Sequence, residues 1–201
     1  LEWLSEQIVR DGLGVYGEAI GDVNPIETVL AAAAQSQAGS NGVVFMPWLM
    51  GNRCPFEDAS CRAGFFNIGI GTTKQDLCRA VPEGVLFHMR WMLEAQQRGT
   101  RTSEVIRLAG GGARSAILAQ TLADLLGRTV EVPESPENAG AAGAAVVMAA
   151  GLGCIASLDE ADGEVRVAAR FAPDPSVKAA YDRNYEVFKR LYRSNKKNYA
   201  L

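Results

Sequence analysis

Three consecutive glycines, Gly110 to Gly112, separate a short apolar stretch typical of a β-strand from a stretch typical of an amphipathic helix. Glycine lets a ligand approach the backbone closely because it has no Cβ. The unpaired N–H groups at the start of the helix, together with the helix dipole, attract an anion such as phosphate. The run therefore indicates a site for a phosphorylated ligand, and a tight turn without a ligand is the alternative.

A second pair of glycines, Gly140 and Gly143, lies three residues apart near the start of an alanine-rich helix. That spacing puts both glycines on one face of the helix. A face without side chains fits two arrangements, because it can lie flat against an adenine ring or pack closely on a neighbouring helix. The sequence leaves both interpretations open.

Several other patterns have simpler interpretations. GLGVYG at 12–17 has dinucleotide-binding spacing, but a helix is predicted before it and no acidic partner follows, which favours a loop. Residues 69–74 lack the spacing of a P-loop. His88 lies among apolar neighbours, where a packed or surface histidine is expected. Cys54 and Cys61 have no companion ligands nearby, so no metal site is predicted. The basic residues at the end of the chain are interpreted as the solvated face of a helix.

The elements that would position these residues define an α/β fold. Thr72 or Thr73 is predicted to cap a long helix, and Gly127 is predicted to end another. Glu83 and Asp124 have no partner carboxylate at a fixed spacing and are interpreted as structural. Strands are predicted at 43–46, 104–109 and 129–132, and helices at 1–10, 25–37, 73–98, 115–126, 138–150 and 175–195. The last helix is predicted to bury the stripe Tyr181, Tyr185, Phe188 and Tyr192.

Composition narrows the class of partner. The 201 residues are 48% hydrophobic and 21% charged with a formal net charge of -3, so no basic field attracts nucleic acid or an anionic membrane. No stretch is long and apolar enough to span a bilayer. Four cysteines without a paired spacing, in a chain without an export signal, indicate reduced thiols in the cytoplasm. Leu1 falls inside a predicted helix, from which we expect that sequence upstream is missing.

The glycine motifs and their surroundings, taken together, resemble the FGGY family of carbohydrate kinases. The resemblance covers nearly the whole chain in the right order, and within the family it is nearest to the xylulokinases. Kinases for glycerol, gluconate, ribulose and rhamnulose share the same motifs, so the sugar stays open. The matching stretches are FMPWLMGNRCP at 45–55, AGFF at 63–66, RAVPEG at 79–84, LAGGGARS at 108–115, LADLLG at 122–127, VEVP at 130–133 and AGAAGAA at 139–145, followed by the final tyrosine-rich helix.

The resemblance implies a ribonuclease H-like lobe of the actin, hexokinase and Hsp70 type, with ATP and Mg²⁺ bound in the cleft between two lobes. The whole chain, 1–201, would be a single C-terminal lobe without its first strands, and the sugar or polyol would bind through the other lobe. The resemblance carries over a nucleotide role to six residues. They are Gly111 and Gly112 beside the adenosine or phosphates, Ala113 and Arg114 at the helix beside the adenine, and Gly71 and Gln75 as further nucleotide contacts. Arg53 and Asp58 would lie in a loop facing the cleft.

The sequence departs from the family pattern in two respects. Pro82 stands where the family usually has leucine or methionine. The family's catalytic aspartate and its phosphate-binding Gly-Thr loop belong to a region upstream of the matching stretches. We therefore expect weak ATP binding without turnover, and an exposed strand edge that favours self-association. Kinases of this family are often homodimers.

Two alternatives to a kinase segment stay open. One is a nucleotide-binding or interaction module that descends from such a kinase but has no enzymatic activity. The other is an ATP-binding relative with different chemistry, such as a chaperone or an acetate-kinase relative. The loop at 47–55 and the RAVPEG motif at 79–84 favour the sugar kinases over this second alternative.

Overall fold

The computed structural model describes residues 25–199. The predicted helix at 1–10 and the glycine motif at 12–17 lie outside this range. In chain order the helices and strands are α1 (Pro25–Ala33), β1 (Val44–Met46), β2 (Gly64–Phe66), α2 (Lys74–Gln96), β3 (Val105–Arg107), α3 (Ala116–Leu126), β4 (Thr129–Pro133), α4 (Ala139–Gly151), β5 (Val167–Phe171) and α5 (Lys178–Asn195).

The described residues form two compact units, one made of those up to Thr102 and from Pro175 onward, the other of Ser103–Asp174. The sequence predicts a single lobe, and that assignment stays a prediction. None of the helices in the described range combines the length and the apolar character needed to cross a membrane.

The first unit is built around the long helix α2, which packs against α1, β1 and α5. Its core is aromatic, because Phe87 of α2 makes ring contacts with Tyr181, Tyr185 and Phe188 of α5. These four side chains have no solvent exposure, and burying each contributes on the order of 2 kcal/mol. Tyr192 is also buried, so the stripe predicted for the last helix is confirmed.

The start of α2 is a capping box. The Thr73 hydroxyl accepts a hydrogen bond from the Asp76 N–H at 3.2 Å, and the Thr73 N–H donates to the Asp76 carboxylate at 2.9 Å. This arrangement satisfies two backbone donors that a helix end otherwise leaves free. The predicted threonine cap is confirmed, and α2 continues through Pro82 as one helix.

The second unit contains a three-stranded sheet in the order β3-β4-β5. β3 and β4 are parallel and are connected through α3, which buries its apolar face on β4. Gly127 ends α3 with φ of 63°, as predicted. β5 lies antiparallel to β4 and was not predicted. Its sequence VAARF is rich in alanine, which is a poor strand former, so the sequence shows little contrast between apolar and polar positions although burial alternates along the strand.

Candidate functional site

The first candidate feature is the glycine bend, Gly110 to Gly112, which connects β3 to α3 in the second unit. Gly110 has φ of 88° and ψ of 178°, a conformation that glycine adopts readily and that other residues avoid. Its N–H donates to the carbonyl of Pro136 at 2.7 Å, which anchors the bend. One turn of 3-10 helix follows, Gly111–Arg114, and α3 begins directly after Ser115.

The space around the bend is open. A Cβ added at Gly111 would have no heavy atom within 4 Å, and one at Gly112 would meet only Leu118 Cδ1 at 3.7 Å. Gly110 is thus explained by its backbone conformation, whereas packing among the described residues does not require glycine at the next two positions. Ala113 is buried under the bend, and Arg114 is exposed beside it. The bend therefore leaves room for a ligand at the start of α3.

The second glycine pair also faces open space. Gly140 and Gly143 lie in α4, and an added Cβ at either position would meet nothing within 4 Å. No residue of α4 is buried. Close packing on a neighbouring helix, one of the two interpretations of this pair, is therefore not seen within the described residues.

The first unit contributes a different feature, a polar cavity of about 530 Å³. Hydroxyl and amide side chains and one carboxylate form its wall, which comes from three segments: the chain after α1, the turn before β1, and the start of α2. The lining residues are Gln35, Ser36, Gln37, Asn41, Thr73, Gln75 and Asp76.

Asp76 connects the three segments of the polar cavity. Its carboxylate is 1% exposed and accepts hydrogen bonds from the Ser36 hydroxyl at 2.6 Å and the Asn41 side-chain amide at 2.7 Å, as well as from the Thr73 N–H. Burial raises the pKa of Asp76, but the hydrogen bonds from Ser36, Thr73 and Asn41 outweigh it and the net pKa is lowered. The carboxylate is therefore ionised at neutral pH.

The six residues predicted to contact nucleotide are divided between the units. Gln75 lines the polar cavity, and Gly71 is exposed in the loop that leads into α2, with nothing within 4 Å of an added Cβ. The other four, Gly111, Gly112, Ala113 and Arg114, form the turn at the start of α3. Their role as nucleotide contacts stays a prediction.

Five residues of the polar cavity wall were not singled out from the sequence: Gln35, Ser36, Gln37, Asn41 and Asp76. The spacing of Thr73 and Asp76 is that of a capping box, so the sequence could have indicated the contact between them. Nothing local indicates that Ser36 and Asn41 contact Asp76, since those contacts span 40 and 35 residues.

The two carboxylates interpreted as structural do have structural partners. Glu83 is 1% exposed and pairs with Arg79 at 2.8 Å. Asp124 accepts hydrogen bonds from Gln120 and from the N–H of Asp174. In the loop after β1, Asp58 accepts hydrogen bonds from Ser60 and from the Tyr192 hydroxyl.

His88 is half-buried, as a packed side chain, and accepts a hydrogen bond from the Trp48 indole at 3.4 Å. Burial lowers its pKa. All four cysteines are free, and the residues that the structure describes contain no group of three metal-ligating side chains.

This α/β architecture is the ribonuclease H-like fold of the actin and hexokinase type, as predicted, and solved sugar kinases share it. The model of the FGGY family of carbohydrate kinases, C-terminal domain, matches residues 1–152. The chain therefore belongs to the FGGY family of carbohydrate kinases.

Individual relatives agree with this assignment. The xylulose kinase of Staphylococcus epidermidis is 31% identical over 172 residues, which cover 85% of this chain and 34% of that protein. The solved xylulose kinase of Rhodospirillum rubrum has a TM-score of 0.78 at 25% identity, over 100% of this chain and 38% of the other. The solved glycerol kinase of Plasmodium falciparum with ADP has a TM-score of 0.65 at 19% identity. The match covers 87% of this chain and 34% of that protein. The chain spans about a third of the length of the curated relatives that it matches.

Proposed function

We propose that this chain is the nucleotide-binding half of an ATP-dependent kinase that phosphorylates a ketose such as xylulose, or a polyol. The observation that carries the proposal is the open glycine bend between β3 and α3. Two of its glycines, Gly111 and Gly112, have no packing reason among the described residues to lack a side chain. A bound nucleotide provides one, because phosphate or adenosine needs close approach to the backbone.

In this proposal the nucleotide contacts are the ones that the family resemblance assigns. The N–H groups of Gly111 and Gly112 face the phosphates or adenosine, and Ala113 and Arg114 lie beside the adenine. Gly71 and Gln75, which belong to the first unit, are proposed as further nucleotide contacts, and Gln75 lines the polar cavity there. The glycerol kinase solved with ADP supports a nucleotide in this family.

The chemistry that ATP supplies is transfer of its γ-phosphoryl group to a sugar hydroxyl, which depends mainly on positioning and on charge stabilisation. Mg²⁺ belongs to the proposal as the ion that accompanies the nucleotide. The described residues contain no group of three metal-ligating side chains, so no residue of this chain is assigned to the ion. No catalytic residue is assigned to this chain, and we expect nucleotide binding without turnover. A cytoplasmic location, a role in xylose metabolism and a homodimer complete the proposal.

A carboxylate at the glycine bend should weaken nucleotide binding without disturbing the fold. We expect Gly111→Asp to weaken the Kd for MgATP at least tenfold, about 1.4 kcal/mol, because the new charge would face the phosphates. The open space at this position accepts the side chain. Isothermal titration calorimetry on this chain measures the effect.

Gly99→Asp is the matched control, since Gly99 is exposed and an added Cβ there also meets nothing within 4 Å. Its Kd should equal that of the wild type. Equal affinity of Gly111→Asp and wild type, or no binding by either, would overturn the assigned pocket. ADP formation from ATP and xylulose by this chain alone would contradict the expected lack of turnover.

A further inference from the structure

The wall of the polar cavity depends on a strained turn. Asn41, which lines the cavity, has φ of 50° and ψ of 31°, and the preceding Ser40 also has φ of 50°. Two consecutive non-glycine residues in the left-handed region are unfavourable and persist only where surrounding contacts hold them.

A buried carboxylate on α2 provides the main contacts. Glu83 accepts a hydrogen bond from the Gly39 N–H at 2.9 Å and another from the Ser40 hydroxyl at 2.7 Å. It is 1% exposed and does not line the polar cavity itself. Any influence of Glu83 on a ligand in the cavity would therefore be indirect, through the segments that Glu83 and Arg79 hold.

The ion pair of Glu83 with Arg79 also contacts a second segment of the polar cavity wall. Arg79 donates to Glu83 at 2.8 Å and to the carbonyl of Ser36 at 2.7 Å. Asn184 of α5 donates to the carbonyl of Gly39 at 2.7 Å. Glu83 and Arg79 thus connect the turn before β1 with the chain after α1, and both segments meet Asp76 at the cavity wall.

We propose that Glu83 is a positioning residue for the nucleotide site: its carboxylate holds the Gly39–Gly42 turn so that Asn41 and the neighbouring cavity wall are preorganised beside Gln75. This inference rests on the proposed function, since it takes the polar cavity as part of the nucleotide site. A core ion pair without influence on the ligand is the competing explanation. The two differ in whether nucleotide affinity changes in a protein that is still folded.

Shortening the Glu83 side chain tests whether the distance from its carboxylate to the turn matters, because the negative charge is kept. Glu83→Asp keeps a negative charge near Arg79 but withdraws it from Gly39 and Ser40 by one methylene. We expect the Kd for MgATP to rise about tenfold, with faster hydrogen exchange at the Gly39 amide. Glu94→Asp is the control, because Glu94 also pairs with an arginine of α2, Arg90, accepts a hydrogen bond from the buried Tyr185 hydroxyl and does not line the cavity. Its Kd should stay within about twofold of the wild type.

Two milder variants keep the test decisive if Glu83→Asp does not fold. Ser40→Ala removes one hydrogen bond to Glu83 and should raise the Kd about threefold, and Gln75→Ala should raise it directly. Faster exchange at Gly39 with an unchanged Kd would overturn the positioning role. If Gly111→Asp loses affinity but the variants at 40, 75 and 83 do not, this inference and the proposed Gln75 contact fail, while the nucleotide site at the glycine bend stands. If wild-type protein binds no MgATP, the proposed function fails with it.

Discussion

Gly84→Ala is expected to lower the free energy of unfolding by about 3 kcal/mol, although it adds only a methyl group. A Cβ at Gly84 would lie 2.2 Å from the carbonyl oxygen of Phe45 and 3.0 Å from its carbonyl carbon. The obstacle is the backbone of β1, which cannot rotate away as the end of a side chain can. The helix α2 and the strand β1 would have to separate, and both belong to the core of the first unit.

A destabilising Gly84→Ala would be the reverse of what this substitution usually does inside a helix. Alanine in the interior of a helix is normally more stable than glycine by about 0.5–1 kcal/mol. Gly143→Ala provides the matched control, because Gly143 lies in the interior of α4 with open space around it. It should stabilise the protein by that amount. Urea unfolding followed by far-UV circular dichroism measures both variants, and a Gly84→Ala protein as stable as wild type would contradict the close approach of α2 and β1.

Arg79→Met is expected to cost about 3–5 kcal/mol at pH 7, because it leaves the Glu83 carboxylate buried without its cation. The guanidinium donates to Glu83 at 2.8 Å, to the Ser36 carbonyl at 2.7 Å and to the Tyr181 hydroxyl at 2.9 Å. Methionine has a similar length but replaces none of these donors. Thermal and urea unfolding compared with wild type give the size of the loss.

The loss of stability in Arg79→Met should become smaller as the pH falls. Burial raises the pKa of Glu83, while the hydrogen bonds from Arg79, Ser40 and Gly39 act to lower it. Without Arg79, fewer hydrogen bonds counter the effect of burial, so the folded-state pKa of Glu83 rises further. A carboxyl whose pKa is higher in the folded state favours folding at low pH, and that contribution is lost as pH rises through the folded-state pKa. The stability deficit of Arg79→Met relative to wild type should therefore narrow as pH falls from about 7 to 5.

A second substitution checks the cause. In Arg79→Met/Glu83→Gln the buried group carries no charge, so much of the lost stability should return and the deficit should no longer change between these pH values. A deficit that is the same at every pH in the single variant would mean that lost packing of Arg79, and not the buried charge, is responsible.

Local chemistry in the sequence determined much of this protein. The strand, glycine bend and helix around 108–115 follow from periodicity and from the conformational freedom of glycine, and the structure has them in that order. Thr73 and Gly127 mark helix ends because capping depends on residues a few positions apart. The same motifs identified the family. The nucleotide contacts at the six predicted positions stay predictions.

Tertiary structure alone decided the features that depend on distant residues. The polar cavity brings the segment around Ser36 and Asn41 to Asp76, and Glu83 reaches Gly39 across 44 residues. Such contacts have no local signal, because a hydrogen bond between distant segments leaves no periodicity in either one. The pairing of β5 with β4 belongs here too, since an alanine-rich strand is stabilised by its neighbour more than by its own propensity. Gly84 is the clearest case: its sequence suggests a weak point in a helix, and only the position of the Phe45 carbonyl explains why no larger residue fits there.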